Sequence, residues 1–155
     1  MKFMHTMGAI GLMGAMACLL SLFSFIPSPT SLSEYGLMRA AMDGIATWIF
    51  LPSFGLTLIS GLLAMAVNRT YHSAGWAWAK LLSGVLVFEW GFAAIQGPMR
   101  QEAELSARAL VHEVDPTTLG ASLDAEWRSL WVMLALAAAN VILGVWRPRL
   151  TRLPE

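Results

Sequence analysis

Three residues that can do chemistry stand at the start of, or inside, long apolar runs. His5 opens "HTMGAIGLMGAMAC", Lys80 opens "KLLSGVLVFEW", and Glu89 stands nine residues after that lysine. Histidine is the commonest protein metal ligand and holds haem iron in many proteins. An ionisable group within an apolar helix is costly, and such a group is a functional-site hypothesis by default.

The composition is that of a membrane protein rather than a soluble domain. Hydrophobic residues make up 57% of the 155 residues, charged residues make up 13%, and the mean hydropathy is +0.61. A soluble domain has about a quarter of its residues charged. The formal net charge is zero, which gives no electrostatic support to nucleic-acid binding. The length predicts a single domain over residues 1–155.

Four apolar stretches predict an all-α, integral membrane four-helix bundle. A bilayer core of ~30 Å needs about 20 helical residues, and lipid offers the backbone no hydrogen bonds, so each stretch must be helical. The connection 99–127 is expected to lie outside the membrane and to be partly helical. The segment "PSPTSLSEYG" before the second helix is expected to be a loop because of its prolines and serines. We predict helices over about 3–26, 44–67, 80–98 and 128–146.

Basic residues in the loops predict the orientation. One side of the predicted bundle holds a clear excess of Lys and Arg, which places that side in the cytoplasm. Both chain termini lie on this side of the membrane. The start of the third predicted helix, at Lys80, lies there too. The expected location is therefore a bacterial inner membrane, with both termini cytoplasmic. The basic residues on this side are Lys2, Arg69, Lys80, Arg147, Arg149 and Arg152.

The helix face that follows His5 could admit a flat cofactor. Gly8 and Ala9 lie one turn after His5 on the same face, and their small size would leave room for a macrocycle whose iron binds the imidazole. The alternative is that His5 anchors the helix at the level of the lipid headgroups. Lys80 and His72 lie on the same predicted side of the membrane, which favours one shared site. His72 is the second candidate metal ligand.

Two further polar residues lie within the predicted spans. Glu89, about 13 Å along the helix from Lys80, and Asn140 are candidates for a buried proton or polar site. The alternative for Glu89 is a structural polar contact between helices, with Asn140, Ser60 or a tryptophan N–H as the partner. Glu89 would otherwise act as a proton relay or contact a polar cofactor group.

Other features predict how the helices pack. Arg39 and Asp43, four residues apart, are expected to form a surface ion pair on a helix. Pro52 removes a backbone hydrogen bond and is expected to kink the second helix. The first helix carries Gly11 with Ala15, and Gly14 with Cys18, at the spacing that lets helices approach closely. We expect one of these two faces to be internal and the other to be available to a homo-oligomer or partner subunit.

The chain resembles a group of small bacterial integral membrane proteins. The resemblance rests on "K-x-x-H" at the start of helix 1, "LPSFGLTLISGL" in helix 2, "GWAWAKLL" before helix 3 and "ANVILGVWRPR" in helix 4. It is to a family of predicted four-helix proteins and, more distantly, to the HemJ-type protoporphyrinogen oxidases and the membrane domain of copper-resistance protein D. HemJ-type proteins bind haem b through a histidine on the first helix and a lysine that begins a later one. His5 and Lys80 occupy those places here.

This resemblance implies binding of haem b and a role in electron transfer or in a redox complex, with His5 as axial ligand. Lys80 would be a second ligand or a propionate partner, and His72 a candidate for either role. The chain lacks the family's arginine- and tyrosine-rich stretch and its further histidine, so the implied function is haem binding rather than protoporphyrinogen oxidation. The implied partners are the lipid bilayer, a second copy or redox subunit, and a quinone, and any enzyme activity would be that of a membrane oxidoreductase subunit. The alternatives are a cofactor-free structural or assembly subunit and a copper-handling or transport protein.

Overall fold

The computed structural model describes residues 2–67 and 75–146, and these residues form helices and turns without a β-strand. Helix α1 is Lys2–Phe23. Helix α2 joins Leu32–Ile45, a π-helical turn Ala46–Phe50 and Leu51–Val67, and α3 joins Gly75–Gly91, a π-helical turn Phe92–Gln96 and Gly97–Leu110. A short 3-10 turn, Pro116–Thr118, precedes α4, which is Leu123–Trp146. The predicted all-helical architecture is confirmed.

The four helices pack in two tiers. In the first tier, α1 lies along Leu51–Val67 of α2, the most extensive contact in the protein, and Gly75–Gly91 of α3 contacts both α2 and α4. In the second tier, Leu32–Ile45 of α2 pairs with Gly97–Leu110 of α3. The core runs through both tiers. Its fully buried members include Met16, Leu19, Met42, Ile95, Met99, Leu130 and Met133.

A π-helical turn stands just before a proline in both α2 and α3. The amide of Leu51 bonds to the carbonyl of Ala46 ahead of Pro52, and the amide of Gly97 bonds to the carbonyl of Phe92 ahead of Pro98. A proline cannot donate a backbone hydrogen bond, and a π turn inserts one residue into the helical ladder. The expected irregularity at Pro52 therefore takes the form of a π turn, and the two π turns contact each other where the two tiers meet.

Three helices are long and apolar enough to cross a membrane by length and composition: Lys2–Phe23, Leu32–Val67 and Ala77–Leu110. The last two have 36 and 34 residues, and at ~1.5 Å per residue each exceeds the ~30 Å of a bilayer core. Their surplus length is the second tier, which carries most of their charges. Helix α4 has 24 residues and begins with charged Asp124, Glu126 and Arg128.

The helices extend further than the sequence predicted at their second-tier ends. Helix α2 begins at Leu32 rather than near residue 44, so the second half of the expected loop "PSPTSLSEYG" is helical. Helix α3 continues to Leu110, within the connection 99–127 that was expected to be partly helical, and α4 begins at Leu123 rather than near residue 128. The cause is tertiary, because the early turns of α2 bury Tyr35 and Arg39 against α3 and α4.

The connection after α3 contains the 3-10 turn Pro116–Thr118. The amide of Thr117 donates to the Asp115 side chain at 2.9 Å and caps the 3-10 turn. This hydrogen bond lowers the pKa of the exposed Asp115 carboxyl.

Candidate functional site

His5 lies half-buried in the contact between α1 and α2. Its Nδ1 is 2.9 Å from the carbonyl oxygen of Thr57 and 3.3 Å from Oγ of Ser60. A Cβ at Gly61 would stand 3.6 Å from Cε1 of the ring, so the imidazole rests against a helix position that has no side chain. A carbonyl can only accept, so the ring hydrogen is assigned to Nδ1 and Nε2 keeps its lone pair. Within residues 2–67 and 75–146, no hydrogen bond to Nε2 is found.

Lys80 brings a positive charge to the same region from α3. Its side chain is half-buried. Lys80 is one turn before Gly84, where a Cβ would stand 3.7 Å from Leu58 of α2, so Lys80 lies at the same end of the bundle as His5 and Gly61. The structure thus places His5 and Lys80 at the same end of the bundle, although 75 positions separate them in the sequence. We call His5, Thr57, Ser60 and Lys80 the His5 cluster. His72, the other residue assigned to this site, lies outside the described residues.

The space beside Gly8 is filled by α2. A Cβ at Gly8 would come within 2.8 Å of the Ser53 carbonyl oxygen and of the Thr57 amide nitrogen. The flat opening expected at this position is therefore absent in the described structure, since Gly8 lets the two helices approach closely. Ala9 beside it is half-buried.

The two small-residue faces of α1 have different environments, as expected. A Cβ at Gly11 would collide with the side chain of Ser53, and Ala15 is buried, so this face is internal. A Cβ at Gly14 would meet nothing within 4 Å, and Cys18 is exposed. The internal face fixes α1 on α2 and so fixes His5 on the Thr57 carbonyl.

Asn140 and Glu89 do not lie in one polar site. Asn140 accepts a hydrogen bond from Ser83 at 3.0 Å and joins α4 to α3. Glu89 is on the outward face of α3 and is exposed, so the expectation of a buried site at this residue is corrected. The reason is helical phase, because the neighbouring Val87 and Gly91 take the positions that face the core.

A second polar cluster lies in the other tier and was missed by the sequence analysis. Arg39 is fully buried and donates two hydrogen bonds to Glu126, from Nη1 at 3.0 Å and from Nη2 at 2.8 Å. The hydroxyl of Ser122 also donates to Glu126. The expected Arg39–Asp43 ion pair is wrong, since Asp43 instead accepts from Thr47 at 3.3 Å. The Arg39–Glu126 ion pair joins α2 to the start of α4.

Glu102 is the second buried carboxylate of this tier. It accepts from the hydroxyl of Tyr35 at 2.7 Å and from the amide of Gly120. Gly120 has a φ of 83°, a left-handed conformation that favours glycine. We call Tyr35, Arg39, Glu102, Ser122 and Glu126 the Arg39 cluster. It binds α2, α3 and the turn before α4 together.

The two clusters differ in whether they have an atom that could still bind a ligand. In the Arg39 cluster both carboxylates already accept two or more hydrogen bonds, and the guanidinium faces Glu126 with both terminal nitrogens. In the His5 cluster the imidazole keeps the Nε2 lone pair, and a primary amine lies nearby. The His5 cluster is therefore the candidate functional site.

In the part of the chain that the structure describes, no group of three or more His, Cys, Asp and Glu side chains is placed to hold a metal ion. Haem supplies four ring nitrogens to its iron and needs only one or two protein ligands. His5 alone, or His5 with Lys80, fits that smaller requirement.

Comparison of the chain with protein-family models, with curated proteins and with solved structures finds no match in any of the three.

Proposed function

We propose that this chain is an integral membrane protein that binds haem b at the His5 cluster and serves electron transfer, alone or as a small subunit of a redox complex. Membrane insertion is supported by the three long apolar helices and by large apolar side chains exposed on all four helices. Phe3, Ile59, Leu82 and Ile142 are examples of such side chains. The proposed location is a bacterial inner membrane, with both termini in the cytoplasm.

The haem proposal depends on one observation, the hydrogen bond between Nδ1 of His5 and the carbonyl of Thr57. Metal-ligating histidines nearly always donate their other ring N–H to a carbonyl or carboxylate, which fixes the ring and makes the ligand more basic. His5 has this arrangement, because Nδ1 donates to the Thr57 carbonyl and Nε2 keeps its lone pair.

In this proposal each residue of the cluster has a separate role. His5 would bind the haem iron, while Thr57 and Ser60 hold its ring in place. Lys80 would be a second ligand or the cation that pairs with a propionate, and His72 would be a candidate for either role. When bound, haem would supply one-electron chemistry, and the chain would supply binding, orientation and a largely apolar surrounding. A redox partner subunit and a quinone are the proposed partners.

A visible spectrum of the detergent-purified protein tests this proposal. We expect a redox-sensitive Soret and α band in the wild type, and loss of most of the bound haem in His5→Ala with the helical content unchanged. His112→Ala is the matched control, because His112 is exposed in the connection after α3 and should leave the spectrum unchanged. A wild type that stays colourless after expression with excess haem would contradict the proposal.

Lys80→Met provides a second test with a smaller expected effect. Removal of this cation should weaken haem binding or shift the reduction potential, because it removes a ligand or a charge near the cofactor. Lys2→Met, at the exposed start of α1, is the control. An unchanged potential and an unchanged haem content in Lys80→Met would remove Lys80 from the site.

A cofactor-free structural or assembly subunit is the second candidate function. It is favoured by the bond from His5 to Thr57, which joins α1 to α2 whether or not a cofactor is present. This candidate predicts that His5→Ala lowers the stability or assembly of a colourless protein, whereas the haem proposal predicts a change in colour.

A further inference from the structure

Two weak points in the helical ladder lie side by side where the tiers meet. The π turns Ala46–Phe50 of α2 and Phe92–Gln96 of α3 contact each other, and each is followed within two residues by a proline. A π turn inserts one residue into the ladder, and a proline removes one backbone donor from it. Sharp bends in helices occur mainly at such places. Because the two interruptions are at the same level, α2 and α3 can bend there together.

The halves of α2 and α3 beyond the π turns form a unit with contacts of its own. Leu32–Ile45 packs along Gly97–Leu110. The hydrogen bonds that Glu102 accepts from Tyr35 and Gly120 also lie within this unit. A small apolar cluster beside the main core contains Tyr35, Ala109 and Leu119. We call the two helix halves, with the connection as far as Gly120, the second-tier unit.

One ion pair ties the second-tier unit to α4. Helix α4 has no proline or π turn between Leu123 and Trp146, so it is a continuous support beside the two interrupted helices. Apart from the chain connection itself, the hydrogen bonds from Arg39 to Glu126 are the only ones found between the unit and α4 in residues 2–67 and 75–146. The closed position of the unit therefore depends on this pair for its polar contact.

The guanidinium of Arg39 is not fully satisfied in this closed position. Arg39 is fully buried, and its Nε has no hydrogen-bond partner in the described part of the chain. Its Cζ lies 6.0 Å from the centre of the Phe23 ring. A buried donor without a partner costs free energy, which is recovered when water reaches the donor. This cost favours an open position and is offset in the closed one by Glu126.

We infer that the second-tier unit is a hinged flap that bends at the paired π turns and is held closed on α4 by the Arg39–Glu126 ion pair. Opening separates this pair and lets water reach the guanidinium, while α1 and the His5 end of the bundle keep their packing. The inference goes beyond haem binding and does not depend on a bound cofactor.

Distances between spin labels in the detergent-purified protein test the inference. One label is placed at Ser33 in the second-tier unit, and the other at Ile10 of α1 or at Ile142 of α4; all three positions are exposed. The exposed Cys18 is first replaced by Ser. Position 33 is 13 residues from Ala46. At ~1.5 Å per residue, a bend of about 20° moves it by about 7 Å.

Neutralising Glu126 should open the flap. With Glu126 unchanged, we expect one narrow distance for each pair of labels. In Glu126→Gln, at least one of the two distances from position 33 should show a second peak, shifted by up to about 7 Å for a bend of about 20°. The distance between positions 10 and 142 should not change. Glu104→Gln neutralises an exposed carboxylate of the same unit and should keep the closed distances.

Two further variants separate a hinge from general loosening. Arg39→Lys keeps the charge but lacks the fork of donors, so it should give a smaller second peak. Pro52→Ala with Pro98→Ala restores two backbone donors and should reduce the second peak of Glu126→Gln.

Three results would overturn the inference. The first is that both distances from position 33 stay unchanged in Glu126→Gln and in Arg39→Lys. The second is that the distance between positions 10 and 142 changes or is lost with the others, because the ion pair would then support the whole bundle. The third is a second peak that is not reduced by the two proline replacements.

Discussion

The His5 cluster and the Arg39 cluster are both polar groups in an apolar bundle, yet they are built differently. In the Arg39 cluster two carboxylates, a guanidinium, a phenol and a hydroxyl bond mainly to one another. In the His5 cluster one ring nitrogen is fixed by a carbonyl and the other keeps its lone pair. Among the described residues, Nε of Arg39 is the one buried donor of the first cluster without a partner, and an N–H cannot bind a metal. The other pairs of this cluster form a structural tie, whereas the lone pair on Nε2 of His5 can bind a metal.

The largest expected effect comes from breaking the Arg39 cluster. Glu126→Ala leaves the guanidinium of Arg39 buried without its counter-charge, which should lower the free energy of unfolding by about 3–5 kcal/mol. Unfolding in mixed micelles of increasing denaturing detergent measures this change. The matched control is Glu104→Ala, which removes the exposed pair with Arg100 and should cost about 0–1 kcal/mol.

If both variants lost the same amount of unfolding free energy, the buried Arg39–Glu126 pair would contribute no more to stability than an exposed ion pair does. The haem content of Glu126→Ala, in the fraction that stays folded, should equal that of the wild type. A selective loss of haem in this variant would contradict the assignment of a structural role to the Arg39 cluster.

A medium effect is expected from the contact that positions His5. Gly11→Leu forces a side chain into Ser53 and should cost about 1–3 kcal/mol by overpacking. Because the same α1–α2 contact holds His5 against Thr57, this variant should also lose haem. Gly14→Leu, at a position with open space around it, should leave both the unfolding free energy and the haem content nearly unchanged.

A fully stable Gly11→Leu protein with normal haem content would mean that α1 does not pack on α2 as described. A Gly14→Leu protein that loses its native assembly would instead reveal an oligomer contact on the outer face of α1.

The sequence suggested that His5 and Lys80 share a site, but it did not suggest that Arg39 pairs with Glu126. The difference has a physical reason. His5 and Lys80 each begin an apolar run, and the count of spans alone places both on one side of a bundle. Arg39 and Glu126 are 87 residues apart, and Asp43 offers Arg39 a nearer partner by helical spacing. Only the pairing of α2 with α3 and α4 decides between those two partners.

The same reasoning explains the errors at the helix ends. The first turns of α2 are polar and follow two prolines, so local propensity favours a loop there. Their helicity depends on burying Tyr35 and Met42 against other helices, and local sequence does not encode that contact. The outward direction of Glu89 is likewise a matter of helical phase, which depends on where α3 packs on its neighbours.

Chemical rescue of a His5 variant tests whether this histidine holds the haem iron. His5→Gly removes the imidazole and leaves a space of its size beside Thr57 and Ser60. This variant, purified in detergent, should bind little haem, and free imidazole should restore the Soret band and the haem-to-protein ratio. His112→Gly should need no rescue. A His5→Gly protein that keeps the wild-type spectrum without imidazole would contradict the claim that Nε2 of His5 holds the iron.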